Sequence, residues 1–386
     1  MDAILPAPLA DLRASISSLA LNEVAPLAEE TDRLGQWPAH TFDALRRAKL
    51  LGLNAPKAAG GMGQGLMALA ISTEALGRHC ASSAICYGMH CVGTAVIAAK
   101  ATPCQTQRYL RPIAAGEHLT TLALSESGSG ALFYFPETEL TQTDAGFLVN
   151  GTKQFVTNAG HMDSYVVSTR VSHEAPSGDF SCLVVDSPAT GIELLQPWNG
   201  FGMRGNSARA IVFRNVLVPT DNLLGAEGDQ IWYVFEVVAP YFLIAMAGTY
   251  LGVAQAALDE TLRHLKTRVQ VTTGETLASV DPIQAQVGEI WARVERTRQW
   301  IYRAAELGDL GHPDALPFLL NSKVEAAETA VAVTNEALTL CGGMAYRDNS
   351  PLSRLLRDAR ASHVMSPTTA LLKRWIGRSL LGQRLL

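Results

Sequence analysis

The sequence contains no Cys-x-x-Cys pair and no histidine pair at zinc-ligand spacing. A zinc ribbon, a finger or another metal centre is therefore not expected. Its six cysteines (Cys80, Cys86, Cys91, Cys104, Cys182, Cys341) include four in one apolar region, where they read as small core residues. Charge is scarce: 17% of residues are charged, and the net charge of −5 carries no basic excess. That excludes nucleic acid as an expected partner. The beginning, MDAILPAPLADLRASI, lacks a basic region followed by an apolar one, so a secretory signal is not expected there. Reduced thiols in a cytoplasm are the corresponding expectation. Internal repeats and low-complexity segments are absent, as is any strand–helix–strand alternation, which argues against a nicotinamide-type Rossmann domain.

Uncharged runs are also rare. Val237 to Leu258 reads as the only one long enough to span a bilayer. It contains Pro240, Gln255 and several small residues, and lacks the basic flanks of an anchor. It is expected to be the central helix of a bundle rather than a membrane span.

What is present falls into three textures. Residues 1–118 place apolar side chains at three- and four-residue spacings, as in LADLRASISSLALNEVAPLAEETDRLG and HTFDALRRAKLLG, and predict an all-α unit. Residues 119–226 carry short runs rich in β-branched and aromatic residues, punctuated by Gly, Pro, Asn and Asp, and predict a β unit. Asn150-Gly151 is its strongest hairpin signal. Residues 227–386 return to helical periodicity. The glycine-rich stretch Lys57–Gly65 follows no strand and reads as a turn rather than a dinucleotide loop. The fold class is α+β.

Several segments, in order, carry a resemblance. They are WPAHTFDALRRAKLLGLNAPKAAGGMG (37–63), LALSESGSGA (122–131), NGTKQFVTNAG (150–160), GMRGNSARAIVFRNVLVPTDNLLG (202–225), LCGGMAY (340–346) and PLSRLLRDAR (351–360). Through them the chain resembles the acyl-CoA dehydrogenase superfamily over nearly its whole length. The resemblance implies an N-terminal helical domain, a central β-barrel-like domain and a C-terminal four-helix bundle. It implies FAD between the last two, and a homodimer or homotetramer. It also implies an acyl thioester substrate oxidised at its CH–CH group with hydride transfer to flavin N5, and an electron-transfer protein as partner. By the same resemblance Phe155 covers the flavin ring, Thr157 bonds near N5, and Leu124, Ser125, Gly130 and Thr368 meet the cofactor. Arg268, Gly342 and Gly343 are implied to meet the adenosine and pyrophosphate of a partner's FAD. Phe155 and Thr157 flank Val156 on a predicted strand, which puts both on one face.

The departures concern proton chemistry. The family's glutamate base aligns with Ser366, and a second base position used by some members aligns with Tyr241. Neither is a base at neutral pH without activation. Ala131 replaces a serine of the substrate loop, Ala239 and Phe242 stand near an expected Asp and Arg, and Val271 and Thr272 replace a Phe-Gly pair after Arg268. Ser366-Pro367 reads as a helix N-cap followed by proline. His363, three residues earlier and on the same face if that turn is helical, is the replacement acid/base candidate. Glu236 and Asp358 are further candidates, with Asp358 read as a structural partner of nearby arginines. TYLGVAQAALD and SVDPIQAQVGEIWARV look more like the flavin-dependent monooxygenase branch. That branch implies a C4a-hydroperoxide chemistry fed by a flavin reductase. A non-redox relative that binds flavin or thioester is the third reading.

Overall fold

The computed structural model describes residues 5–171 and 180–385. The first four residues of the N-terminal segment read above lie outside the described residues. Among the described residues seven α-helices come first: α1 (Ala7–Leu19), α2 (Ala28–Leu34), α3 (Ala39–Arg47), α4 (Leu66–Gly77), α5 (Ala81–Ala99), α6 (Pro103–Gln105) and α7 (Arg111–Ala115). Eight strands follow among the described residues: β1 (Thr120–Ala123), β2 (Glu139–Thr143), β3 (Gly146–Val156), β4 (Ser164–Val171), β5 (Phe180–Asp186), β6 (Ile192–Pro197), β7 (Arg209–Val218) and β8 (Leu223–Leu224). Helices then return as α8 (Gln230–Trp232), α9 (Ala239–Thr267), α10 (Asp281–Asp309), α11 (Ala315–Cys341), α12 (Pro351–Val364) and α13 (Thr369–Leu380).

The strands form one mixed sheet in the order β6-β7-β3-β2-β4-β5-β8. β1 and β2 both run parallel to β4 and share its edge, β1 at Ser164–Val167 and β2 at Arg170–Val171. The chain therefore leaves that edge at Leu124 and rejoins it at Glu139. The excursion between them is available to face something other than the sheet.

Two sequence expectations change here. Asn150-Gly151 is not a hairpin turn: it lies inside β3, at a register shift against β7, and the β2–β3 hairpin turns between Thr143 and Gly146. The physical reason is close packing. A Cβ on Gly151 would collide with Thr138, and Asn150 Oδ1 accepts the Asn215 N–H at 2.7 Å. The run Val237–Leu258 is also not the only long apolar one, because α5 is a second. Both are mostly buried inside the fold.

Small residues explain how α9 runs through the middle. A Cβ on Gly248 would strike Thr73, one on Gly252 would strike the Glu74 carbonyl, and one on Gly77 would strike Thr249. α4 and α9 thus cross at backbone distance. Around that crossing, Glu74 pairs with Arg298 of α10 at 2.8 Å and accepts the Tyr302 hydroxyl at 2.7 Å. Asp309 caps α4 from the end of α10, accepting Leu66 N–H at 2.6 Å and Met67 N–H at 2.9 Å. Buried His90 of α5 accepts Thr120 N–H on Nδ1 at 3.2 Å, so Nε2 donates to Leu51 O at 2.9 Å. Burial pushes its pKa down to about 4, which keeps the ring neutral. This histidine fastens β1 to the helical layer.

α12 is held at its middle. Buried Asp358 accepts Met203 N–H at 2.6 Å, and Arg357 pairs with Asp32 of α2 while donating to Phe201 O at 3.0 Å. One arginine therefore joins the helical, sheet and bundle units.

Two outcomes follow from this packing. Gly252→Ala is expected to destabilise by about 1–3 kcal/mol through overpacking, while Gly288→Ala on α10, where a Cβ meets nothing within 4 Å, is expected to stabilise by about 0.4–1 kcal/mol. Denaturant midpoints check both. Burial raises the Asp358 pKa from 3.8 to about 6, so the folded state holds its proton more tightly than the unfolded state. The stability this supplies at low pH is lost as pH rises through about 6. Asp358→Asn keeps an acceptor for Met203 and does not ionise. Its stability relative to the parent is expected to grow as pH is raised from acid to neutral in melting curves.

Candidate functional site

A cavity of about 750 Å³ lies between the sheet and the C-terminal helices. One side is the Leu124–Ala131 excursion with Phe155 and Thr157. The other is Ala239 and Phe242 of α9 with Met365, Ser366 and Thr368 of the α12–α13 turn. Ile85 and Met89 of α5 also line it.

The excursion is shaped by a buried charge pair. Lys153 of β3 points inward and pairs with Glu126, both side chains being almost wholly excluded from solvent. Lys153 Nζ also donates to Leu124 O at 3.3 Å and Ser168 Oγ at 3.0 Å. Glu126 accepts Glu137 N–H at 2.6 Å, Thr138 N–H at 3.1 Å and the Thr138 hydroxyl at 2.7 Å. Burial lowers the Lys153 pKa, and Glu126 beside it raises it again. Both ends of the excursion are thereby tied to one cation. Glu126 lies in the polar LSESGSG stretch and Lys153 in NGTKQFVTN, and neither local pattern shows that the two side chains pair.

Phe155 reaches the cavity for a different reason than strand alternation. The ladder to β7 shifts register between Lys153 and Val156, and Phe155 has φ +54°. This bulge re-aims the ring outward. It is 57% exposed and meets Trp198 edge-on at 5.2 Å. Val156 lines the cavity as well, although the alternation would have turned it away. Gly130 has φ +52° and open space where a Cβ would stand.

The α12–α13 turn also departs from expectation. Ser366 is not the helix cap. α13 begins at Thr369, and Thr368 Oγ1 accepts Leu371 N–H at 3.4 Å. The Ser366 hydroxyl instead donates to Ala131 O across the cavity at 3.0 Å. α12 ends at Val364, with Met365 extended, so His363 and Ser366 share no helical face. His363 is absent from the lining; its Nδ1 meets Thr369 Oγ1 at 3.4 Å, and burial, then Arg360, lowers its pKa. It is therefore not placed to exchange a proton in the cavity.

Tyr241 and Glu236 do not line the cavity either. Burial, then Asp309 and Cys91, pushes the Tyr241 pKa up to about 12. Arg268 ends α9, and Gly342 and Gly343 end α11; all three are exposed and outside this cavity. Among the described residues that line it, Glu126 is the one carboxylate, and it is committed to Lys153.

Lys323 is a residue that sequence reasoning missed. Fully buried on α11, it donates to Met365 O and Pro367 O, each at 2.6 Å, on either side of Ser366. Burial pushes its pKa down to about 7. Its signal is a single cation on the apolar face of NSKVEAAETAVAV.

The residues fit a flavin. An exposed aromatic ring, a side-chain-free Gly130 and a turn ending in a helix N-terminus at Thr368 converge on one mainly apolar cavity. Phe155 would cover a planar ring, Thr157 would offer a hydroxyl, and the Leu124–Ser125 backbone would serve a polar edge.

Lys153→Met leaves Glu126 charged and buried, and is expected to cost about 3–5 kcal/mol. Adding Glu126→Gln is expected to recover a large part of that loss. Chemical denaturation, with flavin content as a second readout, checks both.

Comparison with known proteins agrees with this geometry. Acyl-CoA dehydrogenase profiles match the N-terminal domain at residues 9–117, the middle domain at 121–216 and the C-terminal domain at 240–381. The chain is 32% identical to cyclohex-1-ene-1-carbonyl-CoA dehydrogenase of Geobacter metallireducens, over 95% of this chain and 96% of that protein. It superposes on butyryl-CoA dehydrogenase from Megasphaera elsdenii with a TM-score of 0.92 at 25% identity, covering 99% and 100% of the two chains. A chain solved in a study of the electron transferring flavoprotein of Acidaminococcus fermentans gives 0.93 at 25% identity, with 99% and 100% covered. The chain belongs to the acyl-CoA dehydrogenase family and is an FAD-dependent oxidoreductase.

Proposed function

We propose that the protein oxidises the CH–CH group of an acyl thioester whose departing α-proton is acidified by the substrate's own structure. The observation that carries this reading is the Ser366 turn. It sits in the cavity where the family places a base, and its hydroxyl is bonded to Ala131 O. No free carboxylate stands among the described lining residues. Bound FAD supplies the hydride acceptor.

The chain's own residues then act by position. Phe155 and the α12–α13 turn enclose the reacting group and exclude water, and the Thr368 helix N-terminus favours negative charge that develops nearby. Lys323 holds the turn from behind. A positioned base is worth about 10²–10⁴ in rate, which is roughly 3–5 kcal/mol of barrier. A substrate with an acidic α-proton needs less of it.

An electron-transfer protein is the proposed oxidant of the reduced enzyme, in keeping with the structural neighbour from the electron transferring flavoprotein study. Arg268, Gly342 and Gly343 lie outside their own chain's cavity. That placement supports the reading that they serve the FAD of a second copy in a homo-oligomer. Free thiols support a reducing compartment such as a cytoplasm.

Anaerobic flavin reduction by a panel of acyl-CoAs tests the reading. Ser366→Glu is expected to raise the rate with a plain saturated acyl-CoA by roughly 10²–10⁴-fold, with much less gain for substrates of acidic α-proton. An equal gain for both classes, or no reduction by any thioester, contradicts it.

A further inference from the structure

Lys323 is a buried cation without a counter-charge. Its side chain is wholly excluded from solvent, and among the described residues it pairs with no carboxylate. Lys153, which is as deeply buried, has Glu126 against it. Taking an ammonium out of water is costly unless an opposite charge offsets it. For Lys323 burial is the one cause of its lowered pKa, so no neighbouring charge provides that offset.

The helices packed against α11 do not provide one either. From α9, the Tyr250 hydroxyl donates to Met365 Sδ at 3.2 Å. From α10, the Thr297 hydroxyl meets that of Thr329 at 2.8 Å. From α12, His363 has its pKa lowered by burial, then Arg360, and in part by Lys323 itself. From α13, Lys373 pairs with Glu328 of α11 at the surface.

The ammonium stands directly behind the cavity wall. Its bonds go to Met365 O and Pro367 O, and Met365, Ser366, Pro367 and Thr368 all line the cavity. In a trans peptide the N–H points opposite to the C=O. The carbonyls that Lys323 holds therefore put the Ser366 and Thr368 N–H groups on the far side of the turn. Neither N–H has a partner among the described residues. A cation at one end of a peptide polarises it and strengthens the donor at the other. The turn thus carries positive potential from the bundle core to a cavity whose one described carboxylate, Glu126, is paired with Lys153.

Resting on the acyl-thioester reading above, we propose that Lys323 is a positioning residue whose missing counter-charge is the ligand, in the form of the anion left when the thioester gives up its α-proton to solvent. The charge is retained for that anion and not for the fold. A neutral thioester of the same length leaves the ammonium uncompensated, so the site favours the ionised ligand.

The test uses the FAD-loaded enzyme with acetoacetyl-CoA, whose α-proton is acidic, and crotonyl-CoA, a neutral thioester of the same chain length. Enolate absorbance against pH gives the α-proton pKa of bound acetoacetyl-CoA, and titration gives both dissociation constants. The parent is expected to lower that pKa below its value in water. Lys323→Met and Lys323→Gln, made separately, are expected to raise it by about one unit or more, and to weaken acetoacetyl-CoA about tenfold, with crotonyl-CoA little changed. An unlowered pKa in the parent, an unchanged pKa in a folded variant, or equal weakening of both ligands overturns the assignment and leaves the acyl-thioester reading standing. Replacing an unpaired buried charge by an apolar side chain of similar volume is a change a fold tolerates. If neither variant folds, by melting temperature and flavin content, the charge serves the fold and the assignment is overturned. Binding of neither thioester by the parent overturns the acyl-thioester reading, and the assignment with it.

Discussion

The site depends first on the pairing of Lys153 with Glu126. The pair ties the start of the segment between β1 and β2 to its end. The ammonium binds the start of the excursion through Leu124 O and Glu126, and Glu126 binds its end through Glu137 N–H and Thr138. Isolated buried charges are costly, and this pair is tolerable because nearly every donor and acceptor has a partner. The bulge that turns Phe155 outward lies immediately after Lys153 on the same strand. The ion pair therefore sets both the loop beneath the cavity and the ring at its rim.

A second buried lysine plays the matching part on the bundle side. Among the described residues Lys323 pairs with no carboxylate; its bonds go to two carbonyls of the α12–α13 turn. Ser366, between those carbonyls, donates to Ala131 O midway along the excursion. The two lysines thus hold opposite walls, joined by one hydroxyl. No free carboxylate stands among the described residues that line the cavity. On the proposed reading such a site binds, shields and orients, while the acidity of the departing proton comes from the substrate.

Much of the architecture was legible because hydrophobic period separates helix from strand over long segments. The central position of α9 was also legible, since an uncharged helix rich in small residues suits a close crossing. Individual positions were harder. Asn150-Gly151 carries a turn signal, but the tight approach of Thr138 gives Gly151 a place inside a strand. Alternation puts Phe155 and Thr157 on one face, and both line the cavity, but Phe155 reaches it through a bulge, which has no period to read. Ser366 resembled a cap because proline follows it, yet Thr368 does the capping. Lys153 and Lys323 act through partners more than ten residues away in sequence. Local pattern contains nothing about such partners.

The central claim is that no protein carboxylate accepts the substrate proton. The most direct measurement is the pH dependence of flavin reduction at saturating acyl thioester, followed by anaerobic stopped flow. A glutamate base titrates near pH 4.3 unperturbed, and up to about 6–7 when tuned for catalysis. This account predicts a rate that stays flat across that range. A rate that falls with a single ionisation in that range as the solution is acidified, and that keeps its midpoint when the substrate is changed, would contradict it.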